Sequence, residues 1–191
     1  MINEYRFILY IIIVICTYLS YKNGKLFYEN RINQNKINPK IFDISFKYLP
    51  FLNYKGTISL ILDLILIITP LIIEYYMHIN IINEYSYYLI IILVIRGFMT
   101  NVTILPKDKN CDDNQFTLYN MVYGHCYDKI FSGHFASIFL LVLIIYNRNI
   151  YTNIFVLTLI CFMYALMILL TRSHYTIDIL VALFVVLAIY K

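Results

Sequence analysis

The stretch that decides the fold is FSGHFASIFLLVLIIY, residues 131–146. It begins with a serine, a glycine and a histidine, and its second half is an unbroken apolar run. A run of this kind predicts a helix whose body lies in lipid, because lipid-buried backbone must satisfy its own hydrogen bonds. The polar beginning indicates that this end of the helix faces water or a cavity.

The rest of the chain has the same apolar character. Its 191 residues are 61% hydrophobic, with a mean hydropathy of +0.72. Such a composition excludes an ordinary soluble domain, and no alternating strand pattern favours a barrel. A membrane span needs roughly 17–25 mostly apolar residues. We therefore predict one all-α, polytopic domain over residues 1–191, a bundle of six transmembrane helices at residues 7–21, 57–78, 85–105, 131–146, 150–171 and 174–190.

The first apolar segment has two interpretations. Arg6 precedes an apolar core, as in a signal peptide, but residues 17–22 offer no clear small-residue cleavage site. We expect the segment to be retained as an anchor. Residues 22–56, which follow it, are polar and basic and are predicted to form an ordered or interfacial loop.

Two histidines stand at one end of the predicted bundle. Six spans place both termini on one side of the membrane, and the beginnings of the fourth and sixth spans on the other. His134 lies at the beginning of the fourth span and His174 at that of the sixth. Two titratable rings at the same depth are therefore predicted to converge on one cavity.

The residues around these histidines indicate phosphoryl transfer. His174 and Asp178 are spaced i, i+4, which would stack them on one helix face. A carboxylate beside an imidazole fixes its tautomer, and the second ring nitrogen can act as nucleophile or base. Ser132 and Gly133 open a helix whose backbone N–H groups favour an anion. This set suits a phosphohistidine intermediate, although interfacial anchoring of the rings and chance spacing of His174 and Asp178 are the alternatives.

Four segments carry a resemblance to the sphingomyelin synthases. CYDKIFSGH at 126–134 resembles their C-G-D-x-x-x-S-G-H motif, with a tyrosine in place of the glycine. HYTIDILVA at 174–182 is similar to their second histidine motif, H-Y-[ST]-x-D-V. IRGFMTNVTILP at 95–106 is similar to an arginine segment that ends in Leu-Pro, and FD at 42–43 resembles the stretch before the second span.

The resemblance implies a six-span fold related to the lipid phosphate phosphatases. It also implies transfer of a phospho-headgroup from a glycerophospholipid to ceramide, with release of diacylglycerol. In that reaction His174 would attack phosphorus, Asp178 would orient His174, and His134 would exchange protons with the lipid oxygens. The headgroup could be phosphocholine, phosphoethanolamine or phosphoinositol.

Further candidates for contact with the phosphate are Asp128, Ser132, Gly133, Arg96 and Arg172. A guanidinium is well shaped for phosphate. Arg96 is predicted either to bind the donor phosphate or to pair with Asp63 of the second span. Arg172 is predicted to contact the phosphate or to face the lipid headgroups.

Two other functions remain open: a phosphatase that uses the same histidines with water as acceptor, and an inactive lipid-binding protein. No metal-ligand spacing and no glycine-rich nucleotide loop is present, so no metal and no cofactor is expected. The net charge of +4 comes without a compact basic motif, which argues against nucleic acid. The expected partners are ceramide, glycerophospholipid and the bilayer, with a homo-oligomer left open.

The membrane orientation is indicated in two opposite ways. Most lysines and arginines fall on the side of the histidines, which would place that side in the cytosol. The resemblance implies a lumenal or exoplasmic active site, in a Golgi, endoplasmic reticulum or plasma membrane, and we favour it. A disulfide between Cys111 and Cys126 would decide the question, because it would require an oxidising compartment.

Overall fold

A computed structural model describes residues 2–33, 42–52, 55–104 and 130–190. These ranges contain α-helices and no β-strand, as predicted for an all-α chain. The helices are α1 (Ile2–Asn33), α2 (Ile44–Tyr48), α3 (Lys55–Met77), α4 (Ile82–Val102), α5 (Gly133–Asn147), α6 (Ile154–Leu170) and α7 (Thr176–Ile189).

In the part of the chain that the structure describes, three helices are long and apolar enough to cross a membrane, at Phe7–Phe27, Leu60–Met77 and Ile82–Val102. The helices α5, α6 and α7 are apolar but have only 15, 17 and 14 residues. At 1.5 Å per residue they reach roughly 21–26 Å, less than the hydrocarbon core of about 30 Å. Each predicted span overlaps a helix with different bounds, and both the spans and the number of six membrane crossings remain predictions.

The beginning of the chain differs from the prediction. The helix α1 continues to Asn33, so residues 22–33 are helical and do not belong to the predicted loop. A second short helix, α2, lies within the remainder of that loop, and the carboxylate of Asp43 caps it by accepting the N–H of Ser45 at 2.9 Å.

The centre of the bundle is α5, which packs against α3, α4, α6 and α7. Its side chains Ala136, Leu140, Leu141 and Ile144 are fully buried. Burial on every side explains why this helix is apolar around most of its circumference. The polar residues at its beginning are therefore held inside the protein, away from the lipid-facing surface.

The helix α1 lies at the edge of the bundle and packs against α4. A Cβ at Gly97 would stand 2.8 Å from Cβ of Cys16, so the two backbones can approach only because Gly97 has no side chain. The Asn101 amide donates to the carbonyl oxygen of Cys16 at 2.7 Å, and Ser20 Oγ donates to that of Thr100 at 3.1 Å. Small residues and such polar contacts are the usual means of helix association in lipid.

Candidate active site

The beginning of α5 is shaped by its capping residue. Ser132 is fully buried, and its Oγ accepts the N–H of Phe135 at 3.3 Å. Phe131, also fully buried, has a φ of 66°, which is unusual for a bulky residue. This turn brings the carbonyl oxygen of Phe131 to Arg96, whose Nε donates to it at 3.1 Å.

Arg96 lies directly against the first residue of α5. A Cβ at Gly133 would stand 3.2 Å from both Cδ and Nε of Arg96. The missing side chain therefore admits the arginine, and the predicted contact of Gly133 with phosphate stays a prediction. The guanidinium of Arg96 therefore lies beside the N-terminal end of α5, which itself attracts negative charge.

His134 is paired with a carboxylate from another helix. Its Nε2 lies 3.0 Å from Oδ1 of Asp63, in the first half of α3, and both side chains are less than one fifth exposed. Asp63 was predicted as a possible partner of Arg96, and a partnership with His134 was not predicted. The second oxygen, Oδ2, is buried and accepts no hydrogen bond within the described part of the chain.

His174 lies in the turn before α7, because the helix itself begins at Thr176. The predicted stacking along one helix is therefore replaced by a turn that folds the ring back. Nδ1 of His174 lies 3.6 Å from Oδ2 of Asp178, and that oxygen also accepts the N–H of Tyr175 at 2.8 Å. Asp178 is fully buried and His174 is only 5% exposed.

A backbone hydrogen bond joins the beginnings of α5 and α7, beside which the two histidines lie. The N–H of Ser132 donates to the carbonyl oxygen of Asp178 at 3.2 Å. Since Ser132 lies two residues before His134, both predicted catalytic segments share one end of the bundle. Arg96 reaches the same end from α4, so five of the predicted residues are gathered there with Gly133: Arg96, Ser132, His134, His174 and Asp178.

Arg172 lies in a different environment. It has a φ of 52° in the turn after α6, and its guanidinium stands 5.3 Å and 5.1 Å from the rings of Phe46 and Phe51. Its Nη2 donates to the carbonyl oxygen of Phe46 at 3.4 Å. In this structure Arg172 packs against residues 42–52, and its predicted contact with phosphate remains a prediction.

Residues 42–52 also contact the beginning of α7, through hydrogen bonds from Thr176 to Asp43. Oδ2 of Asp43 accepts the N–H of Thr176 at 2.7 Å, and Oδ1 accepts the Thr176 hydroxyl at 2.9 Å. Burial alone would raise the pKa of Asp43, but the hydrogen bonds from Ser45 and Thr176 outweigh it and hold that pKa below its usual value. The sequence drew attention to residues 42–43, yet only the structure reveals this function of Asp43.

A cavity of about 450 Å³ extends from this cluster between α3, α4 and α5. Asp63, Arg96, Gly133 and His134 line its polar part, and most of its remaining lining is apolar: Leu66, Ile67, Leu71, Leu89 and Leu93 among others. The size is typical of a site for a small molecule or part of one. An apolar pocket whose polar end contains an arginine suits an amphiphile with a phosphate headgroup.

Three predicted features lie outside the described residues: Asp128, and the two cysteines Cys111 and Cys126. Within the described ranges, no three His, Cys, Asp or Glu side chains are grouped in a way that could hold a metal ion. Among the described residues, Asp63 lies beside His134, and sequence reasoning did not connect the two. Its position in an apolar span was the signal, because ionisable groups in lipid are costly and usually functional.

A comparison with protein families matches residues 125–191 to the PAP2 superfamily C-terminal family. Both histidines and Asp178 lie within the matched segment. A comparison with curated proteins finds no match. The family match supports the predicted relation to the lipid phosphate phosphatases and indicates a membrane phosphatase or phosphotransferase acting on lipids. Membership of the sphingomyelin synthases, the acceptor and the compartment remain predictions.

Proposed function

We propose that this protein is a membrane phosphotransferase that moves a phospho-headgroup from a glycerophospholipid to ceramide. The observation that carries the proposal is the joining of two histidine segments at one end of the bundle, by the bond from Ser132 to Asp178. A cavity with a charged end and an apolar body lies beside His134. A lipid needs such a site, because its headgroup and its chains make opposite demands on their surroundings.

In the first half of the reaction, Nε2 of His174 attacks the donor phosphorus. Nδ1 faces Asp178, so the carboxylate stabilises the positive charge that the ring acquires. A P–N bond forms and the P–O bond to the glycerol breaks. The departing oxygen takes a proton from His134, and diacylglycerol is released.

In the second half, His134 takes a proton from the hydroxyl of ceramide. The resulting oxygen attacks phosphorus, the P–N bond breaks, and His174 is restored. Arg96 and the beginning of α5 stabilise the charge that develops on the phosphoryl oxygens. Arg96 suits this role because it lies against Gly133 at the beginning of α5, and both residues line the cavity.

Hydrolysis is the second candidate function, and the family match favours it, because that match extends to the phosphatase superfamily without specifying an acceptor. The same phosphohistidine would react with water in place of ceramide. A transferase must therefore exclude water from the cavity while the intermediate exists. An inactive lipid-binding protein is the remaining alternative.

The test uses the purified protein in liposomes that contain labelled ceramide and one donor phospholipid, with choline, ethanolamine or inositol as the headgroup. We expect a labelled phosphosphingolipid from the parent protein and none from His174→Ala. Free phosphate from phosphatidic acid without a phosphosphingolipid would identify a phosphatase. No product in either assay would contradict both enzymatic functions.

A further inference from the structure

We propose that Asp63 is the positioning residue of His134, so that the site contains two separate histidine–carboxylate pairs. The inference rests on the proposed function, because it assigns Asp63 to the proton transfer that His134 performs there. Asp63 lies on α3, far along the chain from both histidine segments. The packing of α3 against α5 brings it to His134.

The geometry carries this assignment. The distance of 3.0 Å between Oδ1 of Asp63 and Nε2 of His134 is a hydrogen-bond distance. It is shorter than the 3.6 Å between Asp178 and His174. Both Asp63 and His134 line the cavity, so the pair stands where a lipid phosphate would enter. A carboxylate at this position keeps the ring in one orientation and one tautomer.

The two pairs use opposite ring nitrogens. Asp178 faces Nδ1 of His174, whereas Asp63 faces Nε2 of His134. The nitrogen directed away from the carboxylate is therefore Nε2 in the first ring and Nδ1 in the second. We infer that Nε2 of His174 takes the phosphoryl group and that Nδ1 of His134 exchanges the proton with the lipid oxygen.

The free-energy cost of a carboxylate within the apolar helix α3 supports a function for Asp63. A carboxylate within an apolar helix is costly in lipid, and one of its oxygens is buried without a hydrogen bond from the described residues. An interaction that only stabilised the bundle could be replaced by apolar packing at less cost. The charge is useful, in contrast, to a histidine that must pass between its protonated and neutral forms in each half-reaction.

The test compares how much Asp63→Asn slows the reaction of two donors that differ in their leaving group. An alkoxide such as that of diacylglycerol needs a proton to depart, whereas a nitrophenolate departs without one. Asp63→Asn should lower turnover of the natural donor by about tenfold to a hundredfold, within the range of general acid catalysis. Formation of the phosphohistidine from a p-nitrophenyl ester of the same headgroup should fall less than about threefold. Asp63→Glu, which keeps the carboxylate, should recover part of the loss.

Glu84→Gln is the matched control, because it makes the same change from acid to amide outside the proposed site. Glu84 lies in the first turn of α4 and binds Arg148 there. It should leave both rates unchanged. Equal losses with both leaving groups in Asp63→Asn would overturn the inference, since a merely structural role has no preference among leaving groups. Full activity in Asp63→Asn would overturn it as well.

Failure of the proposed function has a different signature. If His174→Ala formed product as fast as the parent, or the parent formed no phosphohistidine from either donor, the proposed function would fail and the inference with it. If His174→Ala is inactive and Asp63→Asn resembles the parent, only the inference fails.

Discussion

The backbone N–H of Ser132 donates to the carbonyl oxygen of Asp178 at 3.2 Å. This single bond joins the residue that caps α5 to the first turn of α7. Because backbone groups form it, it does not depend on the side chains that carry out the chemistry. Substitutions of the histidine side chains therefore leave both partners of this hydrogen bond in the chain.

The phosphoenzyme should carry its phosphoryl group on Nε2 of His174. Asp178 faces Nδ1 at 3.6 Å, which leaves the other nitrogen directed away from the carboxylate. Phosphohistidine isomers are distinguishable by phosphorus NMR after a denaturing quench at high pH, where the P–N bond survives. A signal from the Nδ1 isomer would contradict this assignment.

Asp178→Asn should reduce turnover by about 10³ to 10⁴-fold, the scale of the loss when an amide replaces the aspartate of a catalytic triad. The amide oxygen can still accept the N–H of Tyr175, which Asp178 accepts at 2.8 Å. The beginning of α7 should consequently remain folded. The checks are a rate assay with labelled lipid and a thermal melt in detergent, and a large fall in the melting temperature would point to a structural cause.

Gly133→Ala should weaken binding of the donor lipid. The new Cβ would stand 3.2 Å from Cδ and Nε of Arg96, so the arginine must shift by a few tenths of an ångström. A hydrogen bond to a charged group is worth about 1.5–3 kcal/mol, so we expect a loss of affinity of at most roughly ten- to a hundredfold. A titration of the initial rate against donor concentration measures this as a rise in KM.

Arg96→Lys provides the comparison for that measurement. A lysine keeps the charge but loses the Nε donor that binds the carbonyl oxygen of Phe131 and the planar fork that matches phosphate. We expect a rise in KM similar to that of Gly133→Ala. Full activity in the lysine variant would show that a point charge suffices.

Asp43 should make the stability of the protein sensitive to acid. Its folded pKa lies below its unfolded value of 3.8, so the carboxylate stabilises the fold fully above that pH, and the effect is lost as the pH falls through the folded pKa. The melting temperature of Asp43→Asn should be lower than that of the parent at pH about 7, and the difference should shrink below pH about 4. Circular dichroism in detergent measures both.

The control for Asp43 is Thr176→Val, which removes the hydroxyl donor at 2.9 Å but keeps the N–H donor at 2.7 Å. It should show a smaller fall in melting temperature at neutral pH than Asp43→Asn. A difference between Asp43→Asn and the parent that stayed constant with pH would contradict the role of the charged carboxylate.

Gly97→Ala should loosen α1 from α4. The added Cβ would lie 2.8 Å from Cβ of Cys16, and such overpacking costs about 1–3 kcal/mol, more than the gain of up to about 1 kcal/mol in helix propensity. Thermal melts measure the loss. Adding Cys16→Gly should relieve the clash, whereas Cys16→Ser should not, because serine retains the Cβ. Equal melting temperatures in the two double variants would refute the contact.

The sequence was sufficient to predict the helices and the shared end of the histidines. Long apolar runs leave a lipid-buried backbone little choice but helix, and the order of the spans alone places His134 and His174 together. The continuation of α1 to Asn33 was missed because residues 22–33 are polar and carry no apolar periodicity.

Contacts between helices could not be predicted in the same way. The pairing of Asp63 with His134 depends on how α3 is rotated and shifted against α5, and one sequence contains no information on that register. Arg172 was predicted either to contact the phosphate or to face the lipid headgroups, and its contact with phosphate stays a prediction. Its φ of 52° and its position beside Phe46 and Phe51 could not be predicted, because such a turn has no signature in an arginine.

The bonds between Asp43 and Thr176 also have a consequence for biosynthesis. A chain emerges from the ribosome in order, and its early segments fold before the later ones exist. Asp43 is made before the second predicted span, yet two of its hydrogen-bond donors belong to the first residue of the last helix. The end of the bundle that holds the histidines can therefore close only when α7 has been made, so a chain stalled before α7 would hold His134 and Asp63 in an unfinished site.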